Sequence, residues 1–268
     1  MFYLFAFVVG AVIGSFLNVC IHRLPAGESV VYPPSHCPGC GVRIRSRDNI
    51  PLLSYVLLRG RCRSCGAPIS LRYPVVEALS GALLMLLLYR FELSHVGVDG
   101  QQLGAVLPKL GVYAAFVAAL IVVSFIDLDH QIIPDVISLP GIVVGLVASV
   151  LGQGPPLLDS LLGALVGGGI LYAVAVGYHA FTGREGMGGG DIKLLAMIGA
   201  FLGWRGVLLS LIIGSFTGAV VGISLILVRR TDSRVPIPFG PFLALGAVCS
   251  LAFGDRLIAW YLQMAFRL

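Results

Sequence analysis

Long apolar stretches alternate with shorter polar ones along most of this chain. Residues 1–20 carry no charge at all, and a stretch of about 20 apolar residues is enough to cross a bilayer as a helix. A polar section rich in Pro, Gly, Ser and Arg follows over residues 24–72. Beyond it, apolar runs recur at 74–89, 107–126, 136–151, 158–181, 191–202, 206–228 and 239–253. They are separated by a polar connection with Glu92, His95 and Asp99, a turn at Gly152-Gln153-Gly154-Pro155-Pro156, and a Gly-rich loop over 182–190. The pattern predicts an all-α polytopic membrane protein of about eight transmembrane helices, the 191–202 segment being the shortest. The tail, 255–268, reads as an interfacial amphipathic helix. The first span lacks the basic start and small-residue cleavage site of a signal peptide, so it reads as an uncleaved helix. The expected organisation is a first transmembrane helix (1–23), a cytoplasmic loop domain (24–72) and a membrane domain (73–268).

Composition strengthens that picture. Hydrophobic residues make up 57% of the chain and charged residues 12%, with a mean hydropathy of +0.96. Soluble chains carry about 25% charged residues, so lipid has to solvate much of this surface. The 35 glycines suit helices that pack closely in a membrane. A pI near 9.0 raises the question of nucleic acid, but the basic residues cluster in loops between apolar spans, which excludes that reading in favour of topology. Arg43, Arg45, Arg47, Arg59, Arg61, Arg63 and Arg72 lie in the first long loop, and Arg229, Arg230 and Arg234 follow the seventh span. By the positive-inside rule both loops are cytoplasmic and the N-terminus is outside. With alternating spans, the loops at 127–135 and 182–191 then also face the cytoplasm.

The long loop carries candidate metal chemistry. Cys37-Pro38-Gly39-Cys40 and Cys62-Arg63-Ser64-Cys65 are two CxxC pairs, each followed by a glycine, Gly41 and Gly66. Four thiolates match the tetrahedral preference of Zn²⁺ and leave no open coordination position, so the expected role is structural. A redox CxxC site is the alternative, but two matched pairs without a thioredoxin-like βαβ pattern favour zinc. A loop of this size has too small an apolar core to fold by itself, so the metal would organise it. Cys20 and Cys249 sit in apolar spans as packing residues.

Ionisable groups within spans raise a functional hypothesis by default. The third span ends in Asp127-Leu128-Asp129-His130 and continues to Pro134-Asp135; the sixth begins after Gly188-Gly189-Gly190-Asp191. Asp135 and Asp191 precede helices and read as N-caps. That explanation fails for an acid at a helix C-terminus, where it opposes the dipole. Two facing carboxylates can share a proton, one polarising a peptide carbonyl while the other activates water. Spacing does not choose between Asp127 and Asp129 as the partner of Asp191. Glycines before Asp191 would let a peptide backbone approach. His22 and His130 read as interfacial, Lys193 as a counter-charge, and Glu77 as a buried acid in need of a partner or a role. A transporter would show internal repeats with paired broken helices, and none is seen.

The chain resembles the prepilin peptidases, or type IV leader peptidases, of the GxGD aspartic peptidase group. The residues that carry the resemblance are Gly14-Ser15-Phe16-Leu17-Asn18-Val19, Arg23-Leu24-Pro25, the double CxxC loop, Arg72-Tyr73-Pro74-Val75-Val76-Glu77, the segment 126–135, 188–193 and Pro238-Phe239-Gly240-Pro241-Phe242. The resemblance implies eight membrane helices and an active site at the cytoplasmic face of a bacterial inner membrane. It implies cleavage of the basic leader of type IV prepilins or type II secretion pseudopilins, after glycine and usually before phenylalanine. It maps the catalytic aspartates onto Asp127 and Asp191, with Gly188, Gly190, Lys193 and Glu77 as candidates for substrate binding or support. Members with the cysteine loop also methylate the new N-terminus with S-adenosylmethionine; the loop and Glu77 are candidates for that step. Nothing in the sequence points to a particular oligomeric state.

Overall fold

The computed structural model describes residues 2–91, 100–183, 187–229 and 237–265. Among these the fold is all-helical apart from two isolated β-bridges. The helices are α1 (Phe2–Arg23), a five-residue α2 (Leu53–Leu57), α3 (Arg72–Arg90), α4 (Gly100–His130), α5 (Asp135–Val150), α6 (Leu157–Thr182), α7 (Gly189–Arg229) and α8 (Gly240–Ala265). Six of them are long and apolar enough to span a membrane, and α5 is a shorter apolar helix. Within α7, Gly203 adopts φ 71° and ψ 176°, a conformation open to glycine. It divides α7 into two helical pieces, which accounts for the two expected spans over 191–202 and 206–228.

The chain forms two compact units, 1–122 and 123–268. In the first, α1 buries Ala6, Gly10, Gly14, Leu17 and Ile21 and exposes Phe5, Val8, Val12 and Phe16, the pattern of a helix solvated by lipid on its outer side. Gly10 faces Ser80 and Gly81 of α3, and Gly14 faces Glu77 and Ser80; a methyl group on either would overlap those atoms. In the second unit, α6 and α7 meet through Gly163 and Gly199, whose backbones are in contact. The Ser160 hydroxyl donates to the Ala200 carbonyl across the same seam at 2.6 Å. Small residues thus set helix separation in both units, as the glycine content predicts.

Three expectations change. α4 begins at Gly100 and runs through Pro108, so it is longer than the apolar run that predicts it. The tail is not a separate helix: α8 continues without a break to Ala265, because a lone glycine before Asp255 is tolerated in a helix interior. Asp135 does not cap α5; the cap residue is Pro134, without a side-chain cap bond, and Asp135 lies in the first turn. The connection at 92–99 and part of the Gly-rich loop, 184–186, lie outside the described residues.

Candidate active site and tetracysteine cluster

The second unit gathers three motifs distant in sequence. Asp127 lies in the last turn of α4 and is 5% exposed, whereas Asp129 and His130 beside it are exposed. The Gly240 N–H donates to Asp127 Oδ2 at 2.8 Å. Gly240 opens α8, so the carboxylate that opposes the dipole of its own helix sits at the positive end of another. The glycine is required there: a Cβ at 240 would stand 2.7 Å from Asp127 Oδ2. Pro241, next in line, has no N–H to lose in a helix's first turn.

Asp191 lies in the first turn of α7, half-buried, with its own N–H bonded to the Gly188 carbonyl at 3.3 Å. It is therefore a first-turn acid at a helix N-terminus rather than the cap residue. Its carboxyl is within electrostatic reach of Asp127 and has no hydrogen-bond partner among the described residues. Ile133 links the two acids' surroundings. A Cβ on Gly190 would meet Ile133 Cβ at 2.8 Å, and one on Gly240 would meet Ile133 Cδ1 at 3.4 Å. Gly190 thus owes its lack of side chain to packing against Ile133 of the α4–α5 connection, while Gly188 and Gly189 are exposed. Lys193 donates to both oxygens of Asp135 at 2.7 Å, tying α7 to α5. Sequence reasoning placed Gly240 within the 238–242 string but assigned it no role; the structure shows it donating its N–H to Asp127. An acid at a helix C-terminus with a Pro-Phe-Gly-Pro string ahead of an apolar span was the available signal.

In the first unit, the cysteine loop folds as two matching knuckles. In one, the Cys37 N–H bonds the Val42 carbonyl and the Gly41 N–H bonds the Cys37 carbonyl; in the other, Cys62 pairs with Ala67 and Gly66 with Cys62 in the same way. Gly41 and Gly66 take φ of 69° and 72°, the left-handed turn anticipated for each. The four sulfurs of Cys37, Cys40, Cys62 and Cys65 lie within 4.8 Å of one another, a donor set suited to one tetrahedral metal ion. N–H groups of Cys65 and Ser64, together with Cys37, draw the Cys62 thiol down to about 6. An N–H from Ala67 favours the Cys65 thiolate, but Cys40 and the remaining thiols outweigh it and push that group up to about 11. Four crowded thiols cannot all ionise without a cation among them.

Glu77, in α3, lies away from the aspartates in sequence and in a different unit. It is 8% exposed, and its Oε2 accepts the Leu52 N–H at 2.8 Å.

Two family models match the chain: the bacterial peptidase A24 N-terminal domain over residues 8–91 and the type IV leader peptidase family over residues 114–223. Proteins named prepilin leader peptidase/N-methyltransferase are similar over nearly the full length. Those of Stutzerimonas stutzeri and Pseudomonas aeruginosa are each 39% identical over 98% of this chain, covering 95% and 94% of the relative. That of Aeromonas hydrophila is 38% identical over 98% of this chain and 94% of its own. No solved structure matches the chain.

Proposed function

The chain belongs to the type IV leader peptidase family, and on that premise we propose that it removes the basic leader from type IV prepilins or type II secretion pseudopilins and methylates the N-terminus so exposed. The observation that carries the peptidase reading is the pairing of a buried Asp127, held by the Gly240 N–H, with Asp191 at the start of α7. The N–H favours the ionised form of Asp127, which takes a proton from the attacking water. Asp191, beside that negative charge and without a donor among the described residues, holds the proton that polarises the scissile carbonyl. Water attacks directly, without an acyl-enzyme.

The protein is a multi-pass inner-membrane protein. Its arginine-rich loop argues for a periplasmic N-terminus and a cytoplasmic site. The substrate's apolar helix then lies in the bilayer while its charged leader stays in the cytoplasm, with the scissile bond at the depth of the pair. Exposed Gly188 and Gly189 leave room for a peptide backbone beside Asp191. Cys37, Cys40, Cys62 and Cys65 would hold a structural Zn²⁺, the four thiolates supplying a full tetrahedral ligand set. S-adenosylmethionine, when bound, supplies an electrophilic methyl group to an amine. The buried Glu77 carboxylate and Asn18 Oδ1, an acceptor without a partner among the described residues, fit the cationic groups that such chemistry brings together.

The test is processing of a synthetic prepilin by the protein in lipid vesicles, read by mass spectrometry of the new N-terminus. Cleavage after glycine is expected, and Asp127→Asn or Asp191→Asn should stop it while the protein still inserts. Normal processing by either variant would sink the assignment.

A further inference from the structure

Two motifs that the peptidase chemistry leaves unused meet in the first unit. As α1 runs forward α3 runs back: Gly10 faces Gly81, Gly14 faces Glu77, and the Asn18 amide donates to the Tyr73 carbonyl at 3.2 Å. This register puts Ser15 and Asn18, one turn apart on α1, beside Glu77 and Tyr73, one turn apart on α3.

The resulting cluster is rich in acceptors and poor in donors. Asn18 is 2% exposed; its amide nitrogen also donates to the Gly14 carbonyl, while its Oδ1 is the one buried side-chain N or O atom among the described residues without a partner. Such an orphan in a tightly packed helix seam needs an explanation. Glu77 has the Ser15 side chain beside it and accepts the Leu52 N–H. That last donor is supplied under strain. Leu52 has φ 60° and ψ −48°, and the Leu53 N–H bonds the Pro51 carbonyl at 2.6 Å. This is a γ-turn of the rare positive-φ kind, costly for a side-chain-bearing residue. Strain that delivers a single N–H to a buried carboxylate points to a place built to receive N–H groups.

We infer that Ser15, Asn18 and Glu77 form a binding site for an ammonium group, foremost the α-amino group of a processed substrate, and that the Leu52 N–H stands where a ligand N–H goes. An ammonium group supplies the charge that Glu77 complements and the several donors that Glu77 and Asn18 Oδ1 accept. Glu77 is five residues beyond the start of α3, about 7 Å along the helix, a depth that an amine at the head of an apolar membrane helix reaches. The inference rests on the N-methyltransferase reading, which requires such an amine to be held.

The experiment uses the full chain in nanodiscs and a fluorescent peptide with the mature N-terminal sequence, either free or acetylated at the α-amine, with S-adenosylhomocysteine as a second probe. The wild type should bind the free amine at least tenfold tighter than the acetylated peptide. Glu77→Gln keeps an acceptor for the Leu52 N–H but removes the charge, so the preference should fall below twofold while zinc content and the unfolding midpoint hold. Ser15→Ala, a smaller perturbation, should weaken the preference in the same direction. If only S-adenosylhomocysteine binding depends on Glu77, the ammonium held is that of the methyl donor, and the site stands with that ligand. A wild type that binds both peptides equally, with S-adenosylhomocysteine insensitive to Glu77→Gln, overturns it. So does a full preference retained in both variants. Absence of methyl transfer by a wild type whose Glu77-dependent preference persists removes the methylation reading and leaves the site.

Discussion

The tetracysteine cluster and the aspartate pair set the same problem, several acids crowded together, and solve it differently. The cysteines are brought together by local sequence. Each knuckle closes its own hydrogen bonds within six residues, and a left-handed glycine turns the chain at the same point in both. Four thiolates so close call for a cation, and a metal held there would find all four positions of a tetrahedral set supplied from within the loop. The aspartates come from the end of one helix and the start of another. The charge of Asp127 is met by a single backbone N–H at the start of a third. On the proposed reading no cation is needed, because two carboxylates with one proton carry one charge, and that charge faces a helix N-terminus. A closed set of four ligands makes a fixed point for folding. On the proposed reading, a pair that shares one proton, with no hydrogen-bond partner for Asp191 among the described residues, makes a reactive one.

The largest effect that sharpens this contrast is non-additivity at the pair. Asp127→Asn and Asp191→Asn should each lower leader cleavage by at least about 10²–10⁴-fold, and the double variant should fall no further, because the two act as one unit. Zinc content should be unchanged in all three. Losses that multiply in the double variant would mean that the carboxylates act separately. Next comes Gly240→Ala, whose methyl group would press on Asp127 Oδ2. Misplacing a catalytic group by a fraction of an ångström or more costs up to about 10²-fold in rate, read in kcat with KM little changed. A Gly240→Ala enzyme of full activity would show that the α8 N-terminus does not position Asp127.

Much of this was legible in the sequence, and the difference between the two regions explains what was not. The knuckles could be read directly, since CxxCG repeated at close range specifies both the turn and the ligands. Helix positions were legible from the apolar runs, including the break at Gly203, where Gly203 follows a short apolar segment. The end of α8 was not, because an Asp-Arg pair in an apolar helix resembles an interface until packing decides. The pairing of Asp127 with Asp191 rests on long-range helix packing, and spacing left Asp129 as an equal candidate. Burial separates them: Asp127 turns inward and Asp129 outward from one helix end. The donor that Asp127 needed comes from residue 240, more than a hundred positions away, which no local pattern specifies.

Replacing Cys37 and Cys62 by serine tests the other region. One bound zinc per chain should be lost, and residues 24–72 should become sensitive to protease, since metal binding and loop folding are one equilibrium. Leader cleavage should fall less than with Gly240→Ala. A greater loss of cleavage with zinc and protease resistance intact would contradict a structural role for the cysteines.

The smallest effect concerns the ion pair between α7 and α5 beside the proposed reactive region. Lys193 meets both oxygens of Asp135 at 2.7 Å, but the side chains remain 37% and 55% exposed. An exposed pair is worth about 1 kcal/mol or less and weakens with salt, so Lys193→Met should lower the unfolding free energy by no more than that. Exchanging the residues, Lys193→Asp with Asp135→Lys, preserves the attraction between them but sets a cation in the first turn of α5 and a second acid two residues beyond Asp191. The dipole of α5 disfavours the first change, and the second adds negative charge beside the pair. The exchanged protein should therefore recover less stability than the attraction alone would return, and its cleavage should drop below that of Lys193→Met. Full recovery of both would mean that the pair acts only as a strut, indifferent to the charges around Asp191. A loss with Lys193→Met as large as that of Gly240→Ala would instead make Lys193 part of the reactive centre, and the division between fixed and reactive acids would have to be redrawn to include it.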